Sequence, residues 1–220
     1  MKKITIALVC MIMATGAVMA QKTFTFGPKI GVDYTHFWGK DTKHGGQLNY
    51  QAGVFFEYRL SNEFAIAPEV VFAAQGGKYD AVVDYSNIIH AEAPSSSIHT
   101  KMLGDFEASV TNNVNYINIP VMLKYYVTPS FSIDLGPQLG INVYSKTTYE
   151  AKNKDLDIKK TVDYKDNTKT VDVGVALGMT YNIAKDVFVQ GRYTMGMTKV
   201  YKWGSDTYNG NAQIAIGYRF

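Results

Sequence analysis

Two sets of side chains in this sequence have the chemistry to do work. The first is the four histidines, His36, His44, His90 and His99, with Ser95, Ser96 and Ser97 close to His99. A nucleophile, a base within hydrogen-bond reach and a third orienting group make a hydrolytic site, so this set raises an enzyme at a loop rim. It also raises a metal site, but no i, i+2 or i, i+4 histidine pair exists to preorganise one. Serine-rich segments place such neighbours together by chance. No catalytic residue, cofactor or metal site is therefore assigned. The second set is Lys29, Asp33, Glu57, Arg59, Glu69, Lys124, Asp134, Asp172, Arg192 and Arg219, five positive and five negative residues that share the polar face of alternating segments. An isolated buried charge is very costly. If this face is enclosed, the ten are expected to pair into a self-neutralising plug, with Glu69 and Arg192 as the mid-height pair.

The elements that carry the second set are strands. Apolar and polar or small residues alternate near 24–37, 50–60, 64–77, 114–126, 131–144, 170–181, 187–197 and 211–220, and period-two alternation is the strand signature. In the last segment Ala212, Ile214, Ile216, Tyr218 and Phe220 share one face and Gln213, Ala215, Gly217 and Arg219 the other. A strand of about 9–11 residues with this pattern is long enough to cross an outer membrane. Short links at Ser61-Asn62-Glu63, Thr128-Pro129-Ser130 and 182–186 alternate with long ones at 38–49, 78–113, 145–169 and 198–210. All short turns then fall at one end. The expectation is an all-β fold: an eight-stranded antiparallel up-and-down transmembrane β-barrel, with short periplasmic turns, long extracellular loops and both termini periplasmic. Val162-Asp163-Tyr164 and Ala81-Val82-Val83-Asp84-Tyr85 keep strand character inside the long links, so some hairpins should extend beyond the membrane.

Alternation alone does not say which face points outward, since a soluble ligand-binding barrel puts its apolar face inside. Three features favour the membrane arrangement. Gly31, Gly53, Gly136, Gly140, Gly174, Gly178 and Gly217 lie on the polar face, where a cramped eight-stranded interior needs small residues. Tyr34, Tyr58, Phe64, Tyr125, Phe131, Tyr181 and Tyr218 lie on the apolar face towards strand ends, the height of a membrane aromatic girdle. Mid-strand, that face is aliphatic, as at Ile30, Val32, Leu135, Leu139, Val173 and Val175.

The N-terminus reads as a secretory leader. Lys2 and Lys3 precede an apolar stretch from Ile4 to Val18, and Val18-Met19-Ala20 offers small residues for cleavage between Ala20 and Gln21. Residues 1–20 are then signal peptide and 21–220 one barrel domain. Removing the leader removes Cys10, the only cysteine, so the mature chain is expected to form no disulfide. It also leaves 20 basic against 19 acidic residues, a net charge of +1 that gives no reason to expect nucleic acid. Pro28, Pro68, Pro120 and Pro137 fall inside proposed strands, and each should mark a bulge or a local loss of pairing.

Several short motifs then fall in a consistent order: Lys29-Ile30-Gly31-Val32-Asp33, Pro68-Glu69 with Gln75-Gly76-Gly77, Tyr116-Ile117-Asn118-Ile119-Pro120, Gly136-Pro137-Gln138-Leu139-Gly140, Arg192-Tyr193 with Gly196, and Gly217-Tyr218-Arg219-Phe220. Together they resemble the PorT-type outer-membrane β-barrel family of Bacteroidota across residues 22–220. The resemblance implies eight strands, makes strand prolines a family habit, and implies that Tyr218 and Phe220 form the signal read by the barrel assembly machinery. It does not supply a function. The expected surroundings are outer-membrane lipid and lipopolysaccharide, with an envelope protein as partner. Three roles stay open: a non-catalytic barrel that is structural or binds through its loops, an accessory of a secretion or assembly complex, and a lipid A-modifying rim enzyme.

Overall fold

The computed structural model describes residues 24–39, 45–83, 106–153, 156–163, 165, 168–202 and 206–220. The proposed signal peptide with Ala20 and Gln21, and His44, His90, His99 and Ser95 to Ser97, lie outside the described residues. Nine strands form: β1 (Phe24–Gly39), β2 (Gln47–Arg59), β3 (Phe64–Val83), β4 (Phe106–Thr128), β5 (Phe131–Asn153), β6 (Leu156–Asp163), β7 (Val171–Asn182), β8 (Val187–Lys199) and β9 (Thr207–Tyr218). All pairings are antiparallel. The order β4-β3-β2-β1-β9-β8-β7-β5 closes through β4–β5 into an eight-stranded ring. The ninth strand, β6, pairs only with Lys146–Asn153 of β5. Strands β3 and β4 likewise stay paired out to Val83↔Phe106, so the long links at 78–113 and 145–169 begin as hairpin extensions of the sheet.

Chain parity decides which side chains face inward. Along β1, Lys29, Asp33, Thr35 and Phe37 are buried while Ile30, Val32 and Tyr34 are exposed. In β5 the inward set runs Ser132, Asp134, Gly136, Gln138, Gly140 and Asn142, then switches to Ser145 and Thr147. A register shift at Tyr144 against Asn115, next to Asn142 against Tyr116, inserts one residue there. Such a bulge turns every later side chain to the other face. The alternation therefore breaks at 144 although the strand continues.

The prolines cost pairing rather than register. The β2–β3 ladder skips Ala67 and Pro68, the β3–β4 ladder skips Glu69 and Val70 opposite Pro120, and the β4–β5 ladder skips Val121 and Met122 opposite Pro137, with the register unchanged on either side. At Pro28 the β1–β9 ladder starts one residue later, at Lys29. Proline has no N–H to give. The register shifts lie elsewhere, in β4–β5 and β8–β9.

The surface of the ring is inverted relative to a soluble domain. Ile30, Val32, Val70, Leu123, Leu135, Val173, Leu177, Ile214 and Ile216 are all exposed. Tyr58, Phe64, Tyr125, Tyr181 and Tyr218 ring the turn end, and Tyr34, Tyr50, Tyr144 and Tyr193 the loop end. An aliphatic belt of this extent between two aromatic rims is matched to hydrocarbon, not water. The buried set is polar, including Lys29, Glu69, Asp134 and Arg192, and among the described residues no helix is long and apolar enough to cross a membrane.

Candidate functional site

The candidate site is the packed lumen, built in three levels. At the turn end, Glu57 of β2 takes Lys124 Nζ at 3.1 Å, Arg59 Nε at 3.3 Å and the Tyr126 hydroxyl at 2.6 Å. The half-buried Arg59 guanidinium lies 3.5 Å from the Tyr126 ring centre. Arg219 stacks 4.6 Å above Phe188, which meets Phe55 edge-on at 5.0 Å. Phe188 lies opposite Gly217 in the β8–β9 register, where a Cβ would fall 2.2 Å from its ring. The glycine makes the space that the ring fills.

At mid-height, Glu69 of β3 receives Arg192 Nη2 at 2.5 Å and Nη1 at 2.9 Å, a bidentate pair, and Lys29 Nζ at 2.5 Å. In the ring order β3 and β8 are four strands apart, on opposite sides. The Arg192–Glu69 contact is thus a strut across the diameter. Lys29 comes from β1, midway between them, and also donates to Gln190 at 2.9 Å. Asp134 is held without a cation: Ser132, Thr180 and Gln190 donate to it at 2.6, 2.5 and 3.2 Å.

At the loop end the chemistry changes to amides. Gln51 Nε2 donates to Gln213 at 2.5 Å. Asn209 Nδ2 donates to Asp172 at 2.8 Å and, at 3.3 Å, to the Tyr116 hydroxyl on β4, the strand opposite β9. Above these, Phe37, Val114, Tyr116 and Val200 form an apolar cluster.

All ten charged residues of the polar face point into the ring, but they do not all pair. Asp33 is fully buried, lies near Asn211, and closes no hydrogen bond through either oxygen. Asp172 has an amide partner on Oδ2 and none on Oδ1. The expected ten-member pairing is therefore corrected: the charges balance over the whole lumen but not locally, because Lys29, Arg59, Lys124 and Arg192 all pair with Glu57 or Glu69. Sequence reasoning missed Asn209, which lies before the proposed start of the last strand, and Tyr126, whose inward parity was readable. The one described histidine, His36, faces outward between the Tyr34 and Tyr193 rings, with Nε2 3.5 Å from the Tyr193 hydroxyl. Among the described residues, no three carboxylate, imidazole or thiol groups gather in a way that would hold a metal.

The chain is similar in fold to small outer-membrane proteins. It is 10% identical to Ail, the attachment invasion locus protein of Yersinia pestis, covering 91% of this chain and 100% of that one with a TM-score of 0.43. It is 13% identical to Neisserial surface protein A, over 89% and 97% of the two chains, with a TM-score of 0.42. It is 10% identical to the N-terminal β-barrel domain of Pseudomonas aeruginosa OprF, over 88% and 97%, with a TM-score of 0.34. No curated protein matches the sequence. The model of one family matches residues 19–202, most of the chain, and with the inverted belt and polar lumen already in place the protein belongs to that family, the outer membrane protein beta-barrel domain.

Proposed function

We propose that this protein is a non-catalytic outer-membrane barrel, closed to solutes, that serves the envelope structurally or by binding a partner through its long loops. The observation that carries the reading is the Arg192–Glu69 strut across the full diameter, tied to Lys29 at 2.5 Å. Eight strands leave room for side chains but not for a channel, and two cavities of the lumen, one lined by Arg192 and one by Asp172, are each about 10 Å³, room for one water. A selective pore would more often line its path with one sign of charge. Within the family, the order of short motifs favours the PorT type. The run of short turns at one end favours periplasmic termini.

Planar bilayer recordings of the purified, folded protein test closure. The expected result is no long-lived conductance step. Stable unitary steps in the wild type overturn it.

Tyr218 and Phe220 are proposed as the assembly signal. Phe220 N donates to Phe26 O at 2.8 Å, and its exposed ring lies 5.2 Å from Tyr218 and 5.6 Å from Phe26, so the last residue is still docked on β1. Deleting Phe220 should lower the heat-modifiable fraction in membranes. An unchanged fraction removes that role.

A further inference from the structure

We propose that the loop-end half of the lumen binds one hard divalent cation of the Ca²⁺ class, through oxygens of Asp172, Thr194 and Asn211. Asp172 Oδ1, Thr194 Oγ1 and Asn211 Oδ1 each lack a hydrogen-bond partner, and the three residues line one cavity. Thr194 and Asn211 are only 5% and 4% exposed, and they stand directly opposite each other in the β8–β9 register. Buried oxygens without partners are uncommon and call for a reason. Here three converge on a space large enough for one small particle.

The space is built by what is missing. Gly174 and Gly196 face each other across β7–β8 and both line the cavity, so no side chain enters from either. Asn209 reaches past them to hold Asp172 Oδ2 at 2.8 Å, which fixes the carboxylate and leaves Oδ1 over. The donors are carboxylate, hydroxyl and amide oxygens, with no imidazole or thiolate among the lining residues. Such a set suits a hard cation and not zinc or copper.

Local charge points the same way. Neither Lys29 nor Arg192 lines the Asp172 cavity, and both are hydrogen-bonded to Glu69. The adjoining cavity, lined by Gln51, Asn118, Gln138, Arg192, Asn211 and Gln213, contains a guanidinium and so repels a cation. The cavity at Asp172 does not. Asp172 is also only partly buried, which leaves a path from the loop end.

Terbium(III) tests the site, using the full-length protein folded in detergent and stripped with chelator. Tyr116, whose hydroxyl is tied to Asn209 at 3.3 Å, supplies the sensitising chromophore. The expected result is saturable emission at one ion per chain, displaced by Ca²⁺. Asp172→Asn should weaken binding about tenfold or more, Thr194→Val should weaken it less, and Asp186→Asn in the turn before β8 should leave it unchanged. If Asp172→Asn does not give the folded, heat-shifted band, Thr194→Val decides, since valine keeps the shape and removes the oxygen. No saturable emission, which would mean that the cavity holds water alone, overturns the proposal. So does equal affinity in wild type and the folded variants.

Discussion

Glu69 and Asp33 are both carboxylates buried in the same lumen, 3% and 0% exposed, yet they live in different electrostatic surroundings. Glu69 accepts three charge-assisted hydrogen bonds from Arg192 and Lys29, while Asp33 accepts none. The contrast extends to the regions around them. Towards the turns, Glu57, Glu69 and Asp134 are each saturated by cations, hydroxyls or an amide. Towards the loops, amides replace cations, and oxygens of Asp33, Asp172, Thr194 and Asn211 are left over. A neutral interior sum does not make a neutral interior. A buried charge is stabilised by what stands within a few ångströms, because the attraction falls with distance and each unmatched ion keeps its desolvation cost. The turn half is therefore the lock of the barrel, and the loop half is the region free to do something else.

The largest effect that would break this comparison is at Glu69. Glu69→Ala removes the common partner of Arg192 and Lys29 and leaves two cations facing each other in a closed space. Removing one partner of a buried pair costs roughly 3–5 kcal/mol. Arg192→Ala should cost less than Glu69→Ala, since Lys29 still meets the carboxylate at 2.5 Å. Both should lower the denaturant midpoint of the folded band far more than Lys185→Ala in the exposed turn before β8. Midpoints for Glu69→Ala and Lys185→Ala that coincide would show that the strut is not what holds the ring.

Packing should differ between the halves in the same direction. A Cβ on Gly136 would fall 2.0 Å from the Val121 carbonyl oxygen and 2.9 Å from Met122 Cα, both backbone atoms, whereas on Gly196 it would meet Asn209 atoms at 3.0–3.3 Å beside an open cavity. Gly136→Ala must move a strand, at a cost of about 1–3 kcal/mol. Gly196→Ala should cost less, because its neighbours need to shift by only a few tenths of an ångström. Unfolding midpoints of the two variants check the order, and a larger loss at Gly196 would reverse it.

Much of this was legible in the sequence, and the illegible part has a common cause. Period two put Lys29, Glu69 and Arg192 on one face, and the length of their side chains made a contact across a narrow ring the natural inference. Parity says nothing about height, however. Height depends on how far each strand is staggered against the next, and that is set by pairing across the whole ring. The middle of its strand marked Glu69 as the partner of Arg192, but parity left Asp33 an undistinguished member of a balanced set, and only the folded ring shows that it meets no cation. The same limit explains the strand ends. The extra residue in β5 beyond Asn142 breaks the alternation, so the extension to Asn153 read as loop, and of β6 only Val162 and Asp163 showed strand character. Asn209 is not legible because Gly210 interrupts the alternation just before residue 211, where the expected last strand begins.

The smallest expected effect sharpens the comparison most, because its sign is opposite. Asp33→Asn keeps the shape of the side chain, removes a negative charge and adds a donor beside the unpartnered Oδ1 of Asn211. In the turn half such a change would break an ion pair. At Asp33 no close hydrogen bond or ion pair is lost; the weaker attraction of Asn211, Lys29 and Arg192 goes, and with it the larger desolvation cost of the charge. With divalent cations chelated, Asp33→Asn should therefore match or exceed the wild type in unfolding midpoint, by on the order of 1 kcal/mol, while Glu69→Gln falls below it. The two substitutions change the same charge by the same amount inside the same lumen, so surface effects and net charge cancel between them. Only local pairing remains to give them different signs. If Asp33→Asn destabilises as strongly as Glu69→Gln under chelation, then Asp33 has a partner in the folded barrel, and the division between a locked half and an open half fails.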